Sequence, residues 1–236
     1  MKKAAIIAVF CLASVISLWQ LAKSRTLQLF GDSVARVETS KPMVALTFDD
    51  GPSEKYTAEV LKILAEHDVR ATFFVTGHEA KRNGAQMRAI VGAGHDVGNH
   101  SYTHSRMVFM SRSQIRRELA DTDAAIRAAG YDKPLTLFRP PYGVRLVMLP
   151  WVSSEQNRLT VKWDVAPDSN PKRPASSIIM KTLEAAKPGS IILLHPMYSS
   201  RETTRAAIGG IVDGLRAKGL EPVTLTELME AGDDEG

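Results

Sequence analysis

The sequence holds a single cysteine, Cys11, in 236 residues. That excludes an intramolecular disulfide and any thiolate metal cluster, so a metal here must be held by histidine and carboxylate. Aromatic residues make up only 6% of the chain, too few for a platform on which nucleic-acid bases would stack. Charge is not concentrated either: the net value is +4, with Lys and Arg scattered rather than striped. Such a balance suits an anionic membrane surface or wall polymer and carries no nucleic-acid footprint. Low-complexity tracts and internal repeats are missing too.

What is present is a globular composition, 44% hydrophobic and 24% charged, long enough for one sizeable domain without staples. Residues 1–22 differ from the rest. Lys2-Lys3 precede an apolar run from Ala4 through Trp19 to Ala22, about the length that spans a bilayer. The run reads as a hydrophobic helix for export or anchoring. Small residues suited to cleavage are not cleanly placed around Gln20-Leu21-Ala22, and Phe10 before Cys11 argues against lipid attachment, so an uncleaved anchor fits better than a signal peptide. Trp19 would then sit near the outer interface. Residues 23–40 read as a linker, 41–230 as the domain, and 231–236 as an acidic tail.

Within the domain, strand-like and helix-like stretches alternate with short connections, which predicts an α/β architecture with a mainly parallel sheet. Strands are expected at 43–48, 71–75, 96–99, 135–138, 159–163, 191–194 and 221–225. Helices are expected at 56–66, through Met87 to Gly92, around 144–157, and at 176–186 and 204–217. Ser111 to Gln114 has capping-box spacing, and Ile115, Leu119, Thr122 and Ile126 form one stripe behind it. A barrel of seven or eight strands fits this count better than an open doubly wound sheet. Most polar residues of chemical interest fall at strand C-termini, the rim where a parallel barrel builds its active site.

The pivotal stretch is Thr47-Phe48-Asp49-Asp50-Gly51-Pro52, where an apolar strand emerges into a turn. Alone it is an ordinary turn sequence. Downstream, His100-Ser101-Tyr102-Thr103-His104 places two imidazoles four apart, on one face of a helical turn. Two histidines with Asp50 leave an open position for water, the catalytic rather than structural pattern for zinc and similar ions. Asp49 then becomes a base for water at a metal. Arg139 is a fixed positive fork that would hold it. His195, ending an apolar strand, is suited to general acid work near neutral pH. His67, His78 and His95 read mostly as structural, His78 least securely because it follows a strand end.

These residues carry a resemblance. Thr47 to Pro52, His100 to His104, Arg139-Pro140-Pro141-Tyr142 and Leu193-Leu194-His195, in this order, resemble the successive motifs of the polysaccharide deacetylase family of carbohydrate esterases, the NodB-homology domain. The similarity covers about residues 43–227. It implies a distorted (β/α) barrel and a metal-dependent hydrolase acting on N-acetylated, less often O-acetylated, sugars. Carried over, Asp49 is the catalytic base and Asp50, His100 and His104 hold a divalent metal, zinc first, with cobalt or nickel as alternatives. Arg139 orients the base, the backbone N–H of Tyr142 helps bind the oxyanion, His195 is the acid, and Pro141 and Trp163 line the substrate groove.

One motif departs from the family. It usually reads Trp-x-Val-Asp-x-x-Asp-Trp, with its later Asp tuning the acid histidine. Here Trp163-Asp164-Val165-Ala166-Pro167-Asp168-Ser169-Asn170 has Ala166 for the first Asp and Asn170 for the second Trp. Asp168 serves His195 only if the alignment slips by one residue. The expectation is therefore an exported deacetylase of envelope or extracellular amino-sugar polymers, anchored in the cytoplasmic membrane, with no nucleic-acid or obligate protein partner. An O-acetyl esterase, a deformylase, or a sugar-binding member without turnover are the alternatives.

Overall fold

The computed structural model describes residues 28–234, together with residues 3, 12, 13, 16, 17, 19, 20 and 22–24. Eight strands form one sheet: β1 (Ser33–Val34), β2 (Met43–Gly51), β3 (Thr72–Val75), β4 (Asp96–Asn99), β5 (Leu137–Phe138), β6 (Leu159–Val161), β7 (Ile191–Leu194) and β8 (Glu221–Val223). Their order is β1-β6-β5-β4-β3-β2-β7, every ladder is parallel, and β8 pairs with Met43–Ala45 of β2 before β3 begins at Thr47. Isolated bridges, Arg36 with Ser190 and Val165 with Ile192, draw the two ends of the path together. The closure is barrel-like, made by single pairs where a regular barrel has full ladders.

Helices cover the sheet: α1 (Thr57–Glu66), α2 (Gly77–Arg82), α3 (Gly84–Gly92), α4 (Arg112–Arg127), α5 (Met148–Glu155), α6 (Ala175–Ala185), α7 (Glu202–Ala217) and α8 (Leu225–Asp233). The capping box at Ser111 forms as its sequence predicts, and Ile115, Leu119, Thr122 and Ile126 are the buried stripe of α4. Burying each such aliphatic side chain stabilises the fold by roughly 2 kcal/mol. β7 is apolar on both faces because helices cover one side and the barrel interior the other. Phe48 and Phe73 meet in that core with ring centroids 5.2 Å apart.

Several expected boundaries move. The helix expected around 144–157 spans only Met148–Glu155. Tyr142 and Gly143 ahead of it are left-handed, at φ 58° and 64°, so the chain cannot enter a helix there. Helix α2 has no counterpart in the sequence reading. The supposed linker 23–40 contains β1, and Val37 is buried with its N–H donating to Gly189 O at 2.9 Å. A two-residue strand is too short to show a period. Arg145 pins this stretch to the domain, donating from its backbone N–H to Ala22 O at 2.9 Å and from its guanidinium to Ser24 O, Gln28 Oε1 and Ser33 Oγ. The acidic tail begins inside α8, with Ala231 buried, while residues 235 and 236 lie outside the described residues.

Most of the expected N-terminal anchor, residues 1–22, also lies outside the described residues. Leu12, Ala13, Ile16, Ser17, Trp19, Gln20 and Ala22 are helical. Among the described residues no helix is long and apolar enough to cross a membrane.

Candidate active site

In a regular strand Asp49 and Asp50 would point to opposite faces. Here β2 continues through both aspartates, and its register with β3 shifts between Asp49 and Gly51, so that Asp50 is an extra residue with φ 74°. This bulge turns both carboxylates into one opening. Asp49 Oδ2 and Asp50 Oδ1 lie 3.6 and 3.5 Å from His100 Nε2, and all three residues are almost fully buried.

The two histidines are not on a helical turn as their spacing predicts. His100 leaves β4 into a loop in which Ser101 and His104 are left-handed, at φ 64° and 57°. That loop is held by side chains: Ser101 N–H donates to Asn99 Oδ1, His104 N–H to Ser101 Oγ, and the amides of Tyr102 and Thr103 both donate to Glu118 Oε2 of α4. The result is the convergence that a helix would have given. His104 Nε2 lies 3.1 Å from Asp50 Oδ1.

The residues fit a divalent cation. One ligand atom from each of Asp50, His100 and His104 falls within 4.8 Å of the others. His100 Nδ1 donates to Arg139 O at 2.7 Å, which fixes the tautomer and leaves Nε2 as a lone pair facing the carboxylates. Asp50 Oδ1 is buried with no aligned hydrogen-bond donor, an orphan that an ion would satisfy. Burial raises the Asp50 pKa, but His100 and His104 outweigh it and hold the carboxyl well below the usual range.

Asp49 is gripped from behind. Arg139, fully buried, donates from Nη1 to Asp49 Oδ1 at 2.6 Å and to Thr47 Oγ1 at 2.9 Å, and from Nη2 to Lys162 O at 3.2 Å. Its guanidinium stacks over Phe74, 4.0 Å from the ring centroid.

His195 lines the same opening. Its backbone N–H donates to Asp168 Oδ2 at 2.7 Å and its Nδ1 lies 3.2 Å from Asp168 Oδ1, so the pairing that required a slipped alignment is made. Burial lowers the His195 pKa, yet Asp168 more than offsets this and the ring titrates above its ordinary value. Thr204 Oγ1 donates to Asp168 Oδ2 at 3.3 Å, and Arg201 Nη1 donates to Asp168 O at 2.5 Å.

Asp49, Asp50, His100, His104, Tyr142, Trp163 and His195 line one hollow of about 890 Å³. Pro141 is buried in the turn behind Tyr142 and is not among its lining residues. A smaller hollow of about 320 Å³ shares Asp50, His104 and Tyr198 with it. Sequence reading missed Tyr198, which lies between the two; burial and the nearby Asp50 raise its phenol pKa. Its only signal was nearness to His195. The other histidines fall outside the cluster: His67 pairs with Asp213 at 3.0 Å, His95 packs tilted against Phe73, and His78 lines the smaller hollow beside Glu79.

Comparison with known proteins agrees with this geometry. A polysaccharide deacetylase family model matches residues 36–157. A chitooligosaccharide deacetylase of Sinorhizobium fredii is 36% identical over 197 residues, covering 79% of this chain and 92% of that protein. A peptidoglycan-N-acetylglucosamine deacetylase of Bacillus cereus is 34% identical over 194 residues, covering 81% and 70%. Among solved structures, the Bc1960 peptidoglycan N-acetylglucosamine deacetylase superposes with a TM-score of 0.78 at 32% identity, over 83% of this chain and 92% of that one. BA3943 of Bacillus anthracis, a pseudoenzyme of carbohydrate esterase family 4, superposes with 0.77 at 31% identity, over 84% and 69%.

Proposed function

The chain belongs to the polysaccharide deacetylase family, and we propose that it is a metal-dependent hydrolase removing N-acetyl groups from amino-sugar polymers or oligomers such as peptidoglycan, chitin-like chains or exopolysaccharide. Its likeness to an active deacetylase and to a pseudoenzyme is nearly equal, so activity must be argued from the residues. One observation carries it: a carboxylate held by a buried arginine, Asp49, faces the same hollow as a histidine held by a buried carboxylate, His195. On this reading a base and an acid line one space that the acetamido group would enter.

A divalent cation held by Asp50, His100 and His104 would supply Lewis-acid polarisation of the acetyl carbonyl and of water. Around it the chain's own groups move the protons. With Oδ1 engaged by Arg139, Asp49 presents Oδ2 as the base that takes a proton from the attacking water. Water oxygen bonds to the acetyl carbon, and the backbone N–H of Tyr142 meets the oxyanion that forms, a contribution of about 3 kcal/mol for one donor. His195, kept protonated by Asp168, gives its proton to the amide nitrogen as the C–N bond breaks. Acetate and the free amine leave, with no covalent enzyme intermediate.

Ala166 and Ser169 line the groove beside Trp163. With Ala166 at the first aspartate position of the motif this stretch resembles, a formyl or O-acetyl substrate is the second reading. The basic start and apolar run of residues 2–22 support export, with the domain on the outer side of the cytoplasmic membrane; fractionation of cells expressing the full chain tests that location. For the chemistry, acetate and formate release from N-acetylglucosamine oligomers, peptidoglycan and O-acetyl xylan is measured with the full chain in detergent, chelated and then resupplied with zinc. Metal-dependent acetate release that is lost in Asp49→Asn is the expected result. Formate alone would favour the second reading, and no acyl release with metal retained would reject both.

A further inference from the structure

Lys162 is a cation just past β6, 2% exposed, with no place in the roles above. Its backbone N–H donates to Val34 O at 2.7 Å, and its backbone O accepts from Arg139 Nη2, the arginine that grips Asp49. Its side chain runs the other way. Lys162 Nζ donates to Gly143 O, in the turn that follows Arg139-Pro140-Pro141, and passes 5.2 Å from the Trp163 ring centroid.

That turn has unusual backbone. Tyr142 and Gly143 are consecutive left-handed residues, a conformation that a tyrosine adopts only under constraint. Inside the turn Gly143 N–H donates to Pro140 O at 2.9 Å and Val144 N–H to Pro141 O at 3.3 Å. The Gly143 carbonyl is left to Lys162. A Cβ at Gly143 would stand 2.9 Å from Lys162 Nζ and 2.7 Å from Trp163 Cη2, so the ammonium and the indole are packed against this peptide unit. Burying an ammonium is costly, and packing alone would be served as well by methionine.

We propose that Lys162 is a positioning residue that fixes the Tyr142 amide for the oxyanion, through its hydrogen bond to the Gly143 carbonyl, two peptide units further along the same turn. Residue 162 then supports both halves of the water-attack step. Its carbonyl steadies Arg139 behind the base, and its ammonium steadies the turn bearing the oxyanion donor. The inference rests on the deacetylase reading for its catalytic part, while the grip on the turn is a property of the chain alone.

Two measurements on the full chain in detergent separate these parts. Hydrogen exchange of the amides in 140–145, followed by mass spectrometry, reads the turn without turnover. Steady-state kinetics on an N-acetylglucosamine oligomer reads the chemistry. In Lys162→Met, exchange in this segment is expected to rise at least about fivefold while the melting temperature does not fall. In parallel kcat should drop about 10- to 100-fold with KM within about twofold, the pattern of a donor that acts on the transition state. If Lys162→Met does not fold, Lys162→Gln, whose side chain ends one atom short of Gly143 O, is read in the same way. Unchanged exchange overturns the grip on the turn, and faster exchange with unchanged kcat overturns its catalytic use. If the wild-type chain releases no acetate the deacetylase reading fails by itself, and exchange alone then decides whether Lys162 holds the turn.

Discussion

His195 and Asp168 are joined twice, by a backbone N–H to Oδ2 at 2.7 Å and by Nδ1 facing Oδ1 at 3.2 Å. The aspartate stands one position early for its motif, and the contacts of Thr204 and Arg201 hold it where it can still reach. With His195 as the proposed general acid, which must be protonated, turnover is expected to fall as pH rises through its pKa. Asp168 raises that pKa. In Asp168→Asn the alkaline limb of the kcat profile is expected to move to lower pH, with kcat reduced even at its optimum. An unmoved limb, measured against pH with the acetylated oligomer, would remove Asp168 from the acid's environment.

The proposed metal site, Asp50 with His100 and His104, makes a prediction that needs no substrate. An ion that binds the folded chain alone stabilises it by about 2.7 kcal/mol when present at 100 times its dissociation constant. Zinc added to chelated protein is expected to raise the melting temperature accordingly. Asp50→Asn supplies a neutral amide where the buried, orphaned Oδ1 now faces two imidazoles, so its zinc affinity should fall by at least about 100-fold, beyond the loss of an outer partner. Equal stabilisation of both proteins, measured by calorimetry, would place the ion elsewhere.

How much of this was legible depends on how local each signal is. The capped helix Arg112–Arg127 was readable because its cap and its apolar stripe lie within one element. The His100/His104 spacing found the right pair for the wrong reason. Helical geometry was assumed, whereas left-handed Ser101 and His104 make the convergence, braced by Glu118 from a distant helix. No pattern in a strand announces a bulge, so the common direction of Asp49 and Asp50 could be read only from their chemistry. Lys162 was invisible because nothing local marks a lone lysine near the end of the expected strand 159–163 as buried, and the carbonyl that takes its ammonium, Gly143 O, comes from a turn 19 residues away.

His95 makes one contribution to the pH dependence of the domain's stability. It is buried, its Nδ1 accepts from Ala71 N–H at 3.2 Å, and burial together with Arg70 pushes its pKa down to about 4 from 6.5, against Asp96. Between these values the unfolded chain holds a proton that the folded chain does not. Stability is therefore fully present above about pH 6.5 and lost as pH falls toward 4, by roughly 3 kcal/mol if nothing else titrates. Urea unfolding of chelated protein at pH 7 and 4.5 measures the loss. His95→Gln, which keeps an acceptor without a titrating group, should flatten it, and an equally steep loss in this variant would assign the effect to other groups.

In the proposed mechanism Arg139 serves both the fold and the base Asp49, and two substitutions separate the contributions. Arg139→Met leaves Asp49, 3% exposed, without its buried cation, and also strips donors from Thr47 Oγ1 and Lys162 O. Breaking a buried pair from one side costs about 3–5 kcal/mol, so this variant should unfold at clearly lower denaturant. Arg139→Lys keeps a positive charge and recovers much of that stability. A single ammonium cannot span Asp49, Thr47 and the Lys162 carbonyl as the planar fork does, nor stack on Phe74. The carboxylate is then free to rotate, and misplacing a catalytic group by about 1 Å costs on the order of 100-fold in rate. Arg139→Lys is thus expected to be nearly as stable as the wild type and nearly as slow as Arg139→Met. If it is as fast as the wild type, charge alone serves Asp49 and the fork has no positioning role; if it is as unstable as Arg139→Met, the fork matters to the fold before it matters to the reaction.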